Sequence, residues 1–111
     1  MRWLVPLAAL CVLAAPCAAE EDTLARRVGV QLDSGYATAR AKLLATSWKA
    51  DTSWGTSGVN KKLAYRQYPE VLCGEGHDPA CTGRFVNSGQ AILLSIDQKT
   101  SALRVFSVDE D

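Results

Sequence analysis

Histidine is almost missing from this sequence, because His77 is the only one among its 111 residues. A Ser-His-Asp hydrolase needs a histidine as its general base, and no Gly-x-Ser-x-Gly motif presents a serine nucleophile here. A phosphate-binding loop is also missing, since Trp54-Gly55-Thr56-Ser57-Gly58 lacks the lysine and the helix start that complete one. We therefore expect no enzymatic activity and no cofactor.

Neither sign of charge predominates. The 12 basic and 12 acidic residues cancel to a formal net charge of zero, which leaves no large field to steer a polyanion toward the protein. The basic residues Lys61, Lys62 and Arg66 are not accompanied by the stripe of basic and aromatic side chains that is typical of nucleic-acid binding. Nucleic acid is therefore not an expected partner.

Long apolar runs are missing too. The longest, from Leu4 to Ala15, falls short of the roughly twenty residues that span a bilayer. With Arg2 before it and the small residues Cys17-Ala18-Ala19 after it, this run is typical of a signal peptide, residues 1–19, that is removed by cleavage. We expect residues 20–111 to be periplasmic or secreted and to contain no transmembrane segment. Pro16 stands where a lipid-attachment motif needs a small residue, so we do not expect lipidation of Cys17.

Two of the four cysteines, Cys73 and Cys81, lie outside the predicted signal peptide. An even pair in an exported domain is typical of a disulfide. Closing so short a loop stabilises a small domain by roughly 2 to 3 kcal/mol. We therefore predict that Cys73 and Cys81 are bonded to each other.

The loop between these cysteines carries Glu75, His77 and Asp78. Cysteine, histidine and cysteine at this spacing offer three possible metal ligands, but structural zinc sites use four ligands and closer cysteine pairs. A disulfide would also remove both thiolates. We expect no metal site, and we expect Glu75, His77 and Asp78 to contact a partner from a constrained loop.

The pattern of the remaining chain predicts an α+β fold in which one main helix packs on a three- to four-stranded antiparallel meander, with a small all-β barrel as the alternative. Residues 20–33 form an N-terminal arm or a short helix, and residues 34–111 form a single domain. Asp33 and Ser34 are the candidate N-caps of a helix over residues 35–48. Its buried arc is expected to contain Tyr36, Ala39, Leu43, Leu44 and Ser47.

Short strands are predicted after the helix. A surface loop over residues 51–60 precedes them, Asn87-Ser88-Gly89 is a turn, and Asp109-Glu110-Asp111 is a solvated end. The apolar run from Ala91 to Ile96 suits a central strand. The expected strands are residues 63–68, 71–73, 82–86, 91–96 and 103–108.

We predict roles for four further side chains: Trp54, Trp48, Arg40 and Glu70. Trp54 is a candidate binding residue because tryptophan is enriched among interface hot spots, and the alternative is that it folds back as a lid on the core. Trp48 lies at the edge of the apolar arc of the helix and is expected in the core. Arg40 falls within that arc, where a charge needs a partner, and we predict that it pairs with Glu70.

The residues Arg40-x-x-Leu43-Leu44-x-x-x-Trp48, followed by Tyr68-Pro69-Glu70-Val71-x-Cys73 and a glycine-rich stretch to Cys81, resemble a group of small exported bacterial proteins of unknown function. The resemblance covers about residues 34–107. The helix-on-sheet layout of that group is similar to β-lactamase-inhibitor-like and PepSY-like periplasmic modules. This resemblance implies protein binding, and it implies no catalytic residues.

The expected function is therefore that of a non-catalytic protein-binding module of the inhibitor, immunity or envelope accessory type. Its partner would be another envelope or extracellular protein, contacted through Trp54, Glu75, His77 and Asp78. Two alternatives stay open: a structural or stress-related envelope protein, and a weak metal or small-ligand binder that uses the His77 loop.

Overall fold

The computed structural model describes residues 23–59, 61–74, 80–98 and 102–111. In these ranges the chain forms two α-helices, one 3₁₀ helix and five β-strands. Their bounds are α1 Thr23–Val28, α2 Tyr36–Ala45, β1 Lys49–Ala50, the 3₁₀ helix Trp54–Thr56, β2 Val71–Cys73, β3 Ala80–Asn87, β4 Gln90–Asp97 and β5 Arg104–Glu110. No helix in these ranges is long and apolar enough to cross a membrane.

The five strands form one antiparallel sheet. Its order is β1-β3-β4-β5, and β2 also pairs with β3. Lys49 of β1 lies opposite Val86, whereas Val71 of β2 lies opposite Gly83, so β1 and β2 pair with different segments of β3. The predicted α+β class and antiparallel pairing are confirmed, but the sheet has one strand more than the three to four expected.

Alternation along the strands separates two faces of the sheet, because successive side chains of a strand point to opposite sides. In both β3 and β4, buried residues alternate with half-buried ones along most of the strand. This buried face meets the helices in a single hydrophobic cluster. Its sheet members are Val71, Cys81, Phe85, Ile92, Leu94, Ile96, Val105 and Val108, and its helix members are Ala25, Val28, Tyr36, Ala39 and Leu43.

The opposite side of the sheet, which we call the open face, carries the intervening side chains. They are half-buried or exposed and mostly polar, in contrast to the core face. Register places Thr82, Ser95 and Ser107 in one row across three strands, and Arg84, Leu93 and Asp109 in the next row. The open face is defined by these six residues.

Helix α1 forms within the segment expected to be an arm or a short helix. It ends at Gly29, where the Gly29 N–H donates to Arg26 O at 3.1 Å and the Val30 N–H donates to Ala25 O at 2.8 Å. This pair of bonds satisfies two carbonyl groups that a helix end otherwise leaves unpaired. Gly29, which weakens the helical pattern in the sequence, is therefore the residue that terminates the helix.

Helix α2 is shorter than predicted. It begins after Gly35, which is the N-cap and makes no side-chain capping bond, so the expected capping by Asp33 or Ser34 is wrong. The backbone N–H of Asp33 donates to Val105 O, and the Val105 N–H donates to Ser34 O. These bonds to β5 hold Asp33 and Ser34 outside the helix. Leu44 is 42 % exposed and Ser47 is exposed, so the buried arc contains only Tyr36, Ala39 and Leu43 of the five residues expected there.

The strand predicted over residues 63–68 is wrong. Residues 63–68 form turns and irregular backbone, with the Tyr68 N–H donating to Tyr65 O at 3.1 Å, because the rings of Tyr65 and Tyr68 pack against the core. Asp109, Glu110 and Asp111 are exposed, as predicted, but β5 extends through Asp109 and Glu110, and Asp111 forms an ion pair with Arg84. The short strand β1 stands where none was expected, directly after Trp48.

Candidate functional site

The disulfide joins the two strands β2 and β3 at their connected ends. Cys73 and Cys81 are direct partners in the strand register and are covalently bonded, as predicted. The Gly74 N–H donates to Ala80 O at 3.1 Å and continues the pairing by one step. Glu75, His77 and Asp78 lie outside the described residues, so their predicted contact role stays a prediction. The described residues contain no cluster of metal-ligating side chains.

Trp54 is positioned by the close packing of its neighbour Gly55. The Gly55 N–H donates to Pro69 O at 2.9 Å, and a Cβ atom at position 55 would lie 2.3 Å from that same oxygen. Any larger residue would force the 3₁₀ helix away from the segment that leads into β2. The expected surface loop is thus partly ordered, and its glycine anchors it against the sheet.

The indole ring of Trp54 lies against the open face and not in the hydrophobic core. Its Nε1–H donates to the Thr82 hydroxyl at 3.1 Å, and the guanidinium of Arg84 lies over the ring at 5.8 Å from its centroid. The ring is half-buried. Trp54 is therefore held in one orientation by polar contacts while part of its surface stays accessible.

Arg84 is fixed by carboxylates on two sides. Its Nη1 lies 2.6 Å from Asp51 Oδ2, and its Nε lies 2.7 Å from Asp111 Oδ2. The bonds to Asp111 and then Asp51 raise the pKa of the Arg84 guanidinium. Hydrogen bonding from the Ser53 hydroxyl, followed by that from Arg84, lowers the pKa of Asp51. The cluster is therefore charged on both sides at neutral pH.

Trp54 and the disulfide loop, which the sequence suggests separately as binding elements, lie at the same part of the sheet. Thr82, the partner of Trp54, directly follows Cys81 in β3, and it lies opposite Leu72 of β2. The contact between Trp54 and Thr82 is therefore one residue from the disulfide along β3, although Cys81 itself belongs to the core. Trp54 and the six residues of the open face together form what we call the Trp54 surface.

Arg40 and Glu70 belong to a different cluster, between the helix layer and the sheet. Glu70 is fully buried, and it accepts hydrogen bonds from Arg40 and from the hydroxyl of Tyr36. Burial, and then the bond to Glu70, raises the pKa of Tyr36 far above its usual value. Because its carboxylate is inaccessible and its donors are supplied by the protein, this cluster fits the structural role predicted for Arg40 and Glu70.

The hydroxyl of Tyr36 can reach Glu70 because the residue of β3 next to this hydroxyl, Gly83, has no side chain. A Cβ atom at Gly83 would lie 2.8 Å from the Tyr36 hydroxyl oxygen. The ring of Tyr36 also meets Tyr68 edge to face, with centroids 5.0 Å apart. Gly83 therefore leaves the space in which the buried hydrogen bonds form.

Trp48 lies after α2 and is half-buried, packed against the edge of the core. Its ring also lines a cavity of about 460 Å³ between α1 and the end of the sheet. Trp48 therefore contributes to the core at its margin, with part of the side chain facing this cavity.

Sequence reasoning did not identify Arg84 or Thr82 as part of the surface around Trp54. Their alternation with Cys81, Gly83 and Phe85 is the period-two signal that places them together on one face of a strand. The alternation shows that Thr82 and Arg84 share one face of β3, but it does not show which side chain packs against them. Contact with Trp54 depends on how a distant segment packs, so only the structure could supply it.

Comparison with known proteins gives no further guide, since no protein-family model, no curated protein and no solved structure matches this chain.

Proposed function

We propose that this protein is a non-catalytic protein-binding module and that it binds its partner through the Trp54 surface. The observation that carries the proposal is the Trp54–Arg84 pair. The guanidinium lies over the ring, 5.8 Å from its centroid, both groups are partly accessible, and each is held by further polar contacts. Tryptophan and arginine are the residue types most enriched among interface hot spots.

Prior ordering of this pair favours binding. A side chain that is immobilised only on association loses rotamer freedom, which costs roughly 0.5 to 1.5 kcal/mol. Arg84 is already held by Asp51 and Asp111, and Trp54 is already held by Thr82. A partner would therefore meet both side chains in their bound orientation, and most of this cost would be avoided.

The chemistry of the open face suits a protein partner. The row formed by Thr82, Ser95 and Ser107 offers hydroxyl groups that donate and accept hydrogen bonds, and Leu93 offers apolar area in the adjoining row. A hydrophobic centre with a polar surround is the usual composition of a transient protein interface.

The compartment belongs to the same proposal. We propose that residues 1–19 are removed on export and that the protein acts in the periplasm or outside the cell. The Cys73–Cys81 disulfide supports this location, because disulfides persist in oxidising compartments. The partner is accordingly an envelope or extracellular protein. Intact mass of the protein from its native source tests the location: residues 20–111 less two hydrogens is expected, and the full-length mass would contradict it.

The binding surface is tested with a matched pair of variants. Leu93→Lys places a charge at the centre of the open face, whereas Leu44→Lys makes the same change on the exposed side of α2. A partner is first captured from the native envelope or culture fluid with the wild-type protein, purified and then titrated with each variant.

We expect Leu93→Lys to weaken the complex by at least about tenfold and Leu44→Lys to leave it within about twofold, while both variants melt near the wild type. The reverse order would show that the helix layer, and not the open face, is the binding surface. Equal affinities for all three proteins would contradict the proposal as well.

A further inference from the structure

The cavity beside Trp48 has the features of a small-molecule site. None of the residues that line it belongs to the Trp54 surface. Its volume of about 460 Å³ falls within the usual range for ligand pockets. Its apolar lining comes from Leu24 and Val28 of α1, Ile92 of β4 and the ring of Trp48. This apolar side of the cavity continues directly into the core.

The polar side of the cavity carries groups with free hydrogen-bonding capacity. The indole N–H of Trp48 and the carboxamides of Asn87 and Gln90 have no hydrogen-bond partner within the described part of the chain. In the described part of the chain, every buried side-chain polar atom has a hydrogen-bond partner. Since the indole N–H of Trp48 has none, it is not buried. It is therefore open to solvent and available to a ligand.

Each charged side chain that lines the cavity, Arg27, Glu110 and Asp111, has an opposite charge near it. Arg27 and Glu110 lie 3.8 Å apart and are both largely exposed, and Asp111 is engaged by Arg84. Since these charges are already paired within the described part of the chain, the lining favours an uncharged ligand over a charged one.

We propose that this cavity binds an uncharged saccharide unit. A carboxamide both donates and accepts hydrogen bonds, and so does a sugar hydroxyl, so Asn87 and Gln90 can each satisfy two functions of a hydroxyl-rich ligand. The C–H face of a sugar ring matches the ring of Trp48 and the apolar side chains beside it. A purely apolar ligand would leave both amides and the indole N–H without partners, which is unfavourable.

The proposal is independent of protein binding at the Trp54 surface, and its test uses different residues. The probes are three neutral trisaccharides, maltotriose, cellotriose and N,N′,N″-triacetylchitotriose, with glucosamine and glucuronic acid as charged comparisons. The readout is the indole N–H resonance of Trp48 in ¹⁵N-labelled protein, assigned by its disappearance in Trp48→Phe. Titration to about 20 mM saturates a complex of millimolar affinity.

We expect a saturable shift of this resonance with at least one neutral trisaccharide. Gln90→Ala and Asn87→Ala should each weaken that complex by about fivefold, the usual effect of losing one hydrogen bond. Gln31→Ala is the matched control, because Gln31 is exposed and does not line the cavity, and it should bind as the wild type does.

Three results would overturn the proposal. They are the absence of a saturable shift with all three trisaccharides, a shift caused only by the charged sugars, and equal affinity in Gln90→Ala, Asn87→Ala and Gln31→Ala. Thermal unfolding of each variant shows whether the fold is retained. Asn87 and Gln90 pair with each other across the hairpin turn, whereas the residues of this turn with positive φ are Ser88 and Gly89, so we expect the melting temperatures of both variants to stay near that of the wild type.

Discussion

The guanidinium of Arg40 in α2 holds the fully buried carboxylate of Glu70, with Nε at 2.7 Å from Oε2 and Nη2 at 3.3 Å from Oε1. The Arg40 side chain is partly exposed, and its guanidinium lies over the ring of Tyr68, 5.3 Å from the centroid. Glu70 directly precedes β2. The ion pair therefore links the helix layer to the start of the strand that carries the disulfide.

Removal of the Glu70 carboxylate should be strongly destabilising. In Glu70→Ala the charge of Arg40 and the hydroxyl of Tyr36 lose their buried acceptor, so we expect the free energy of unfolding to fall by roughly 3 to 5 kcal/mol. Denaturant unfolding measures this loss. Glu110→Ala removes an exposed carboxylate 3.8 Å from Arg27 and is expected to change stability by less than about 1 kcal/mol.

A double-mutant cycle separates the pair from its surroundings. If Arg40 and Glu70 act together, the loss in the double alanine variant is smaller than the sum of the two single losses. Simple additivity would contradict a direct interaction.

Tyr36 should make the protein sensitive to alkaline pH. Burial and the bond to Glu70 raise the pKa of Tyr36 in the folded state above its ordinary value of 10.0, so this group stabilises the fold fully below pH 10. Above pH 10 the unfolded chain releases a proton that the folded chain retains, and stability is lost. Tyr36→Phe lacks this titration.

Denaturant unfolding at pH 7 and at pH values above 10 measures the effect. At pH 7 we expect Tyr36→Phe to be less stable than the wild type by about 1 to 3 kcal/mol, because Glu70 loses a donor. The difference should narrow above pH 10. A difference that stays constant over this range would show that the Tyr36 proton is not linked to folding.

The disulfide should contribute a large share of the stability. Cys73 and Cys81 close a loop of seven residues, and replacing both by alanine is expected to lower the free energy of unfolding by about 2 to 3 kcal/mol. Chemical reduction of the wild type should lower the melting temperature to that of the double variant. If reduction leaves the melting temperature unchanged, the bond is not a stabilising element.

Gly83→Ala tests the space that β3 leaves for Tyr36. The added methyl group would meet the Tyr36 hydroxyl at 2.8 Å, so we expect a loss of about 1 to 3 kcal/mol in denaturant unfolding. Gly35→Ala is the comparison without a steric clash, because the nearest atom to its Cβ would be 3.9 Å away, and its loss reflects only the replacement of the N-cap of α2 by alanine. Part of the loss should be recovered when Gly83→Ala is combined with Tyr36→Phe. A loss that is equal in both backgrounds would assign the effect to the strand and not to Tyr36.

The sheet was the part of the fold most open to prediction. The apolar run from Ala91 to Ile96 and the Asn87-Ser88-Gly89 turn have local signatures, and both are present as a strand and a hairpin connection. Residues 63–68 look like a strand for the same local reason, namely apolar and aromatic side chains before a proline. There the anchoring of Tyr65 and Tyr68 on the core outweighs local propensity.

The candidate site was only partly predictable. Trp54 stands out by residue type, and the Arg40–Glu70 pair follows from a charge within an apolar arc that needs a carboxylate. The Arg84 cluster joins three segments that are far apart in the chain: Asp51 and Trp54 from the loop after β1, Arg84 from β3 and Asp111 after β5, which meet only through strand register and the packing of the 3₁₀ helix. Local sequence patterns do not predict such long-range contacts.

The most direct test of the central claim, that a protein partner covers the open face, is photo-cross-linking in the organism of origin. A photoreactive side chain is placed at Leu93 or Ser95 on the open face and, as the comparison, at Leu44 on α2. We predict a covalent adduct with one defined protein from positions 93 and 95 and none from position 44. Adducts from position 44 alone, or none from any position, would contradict the account.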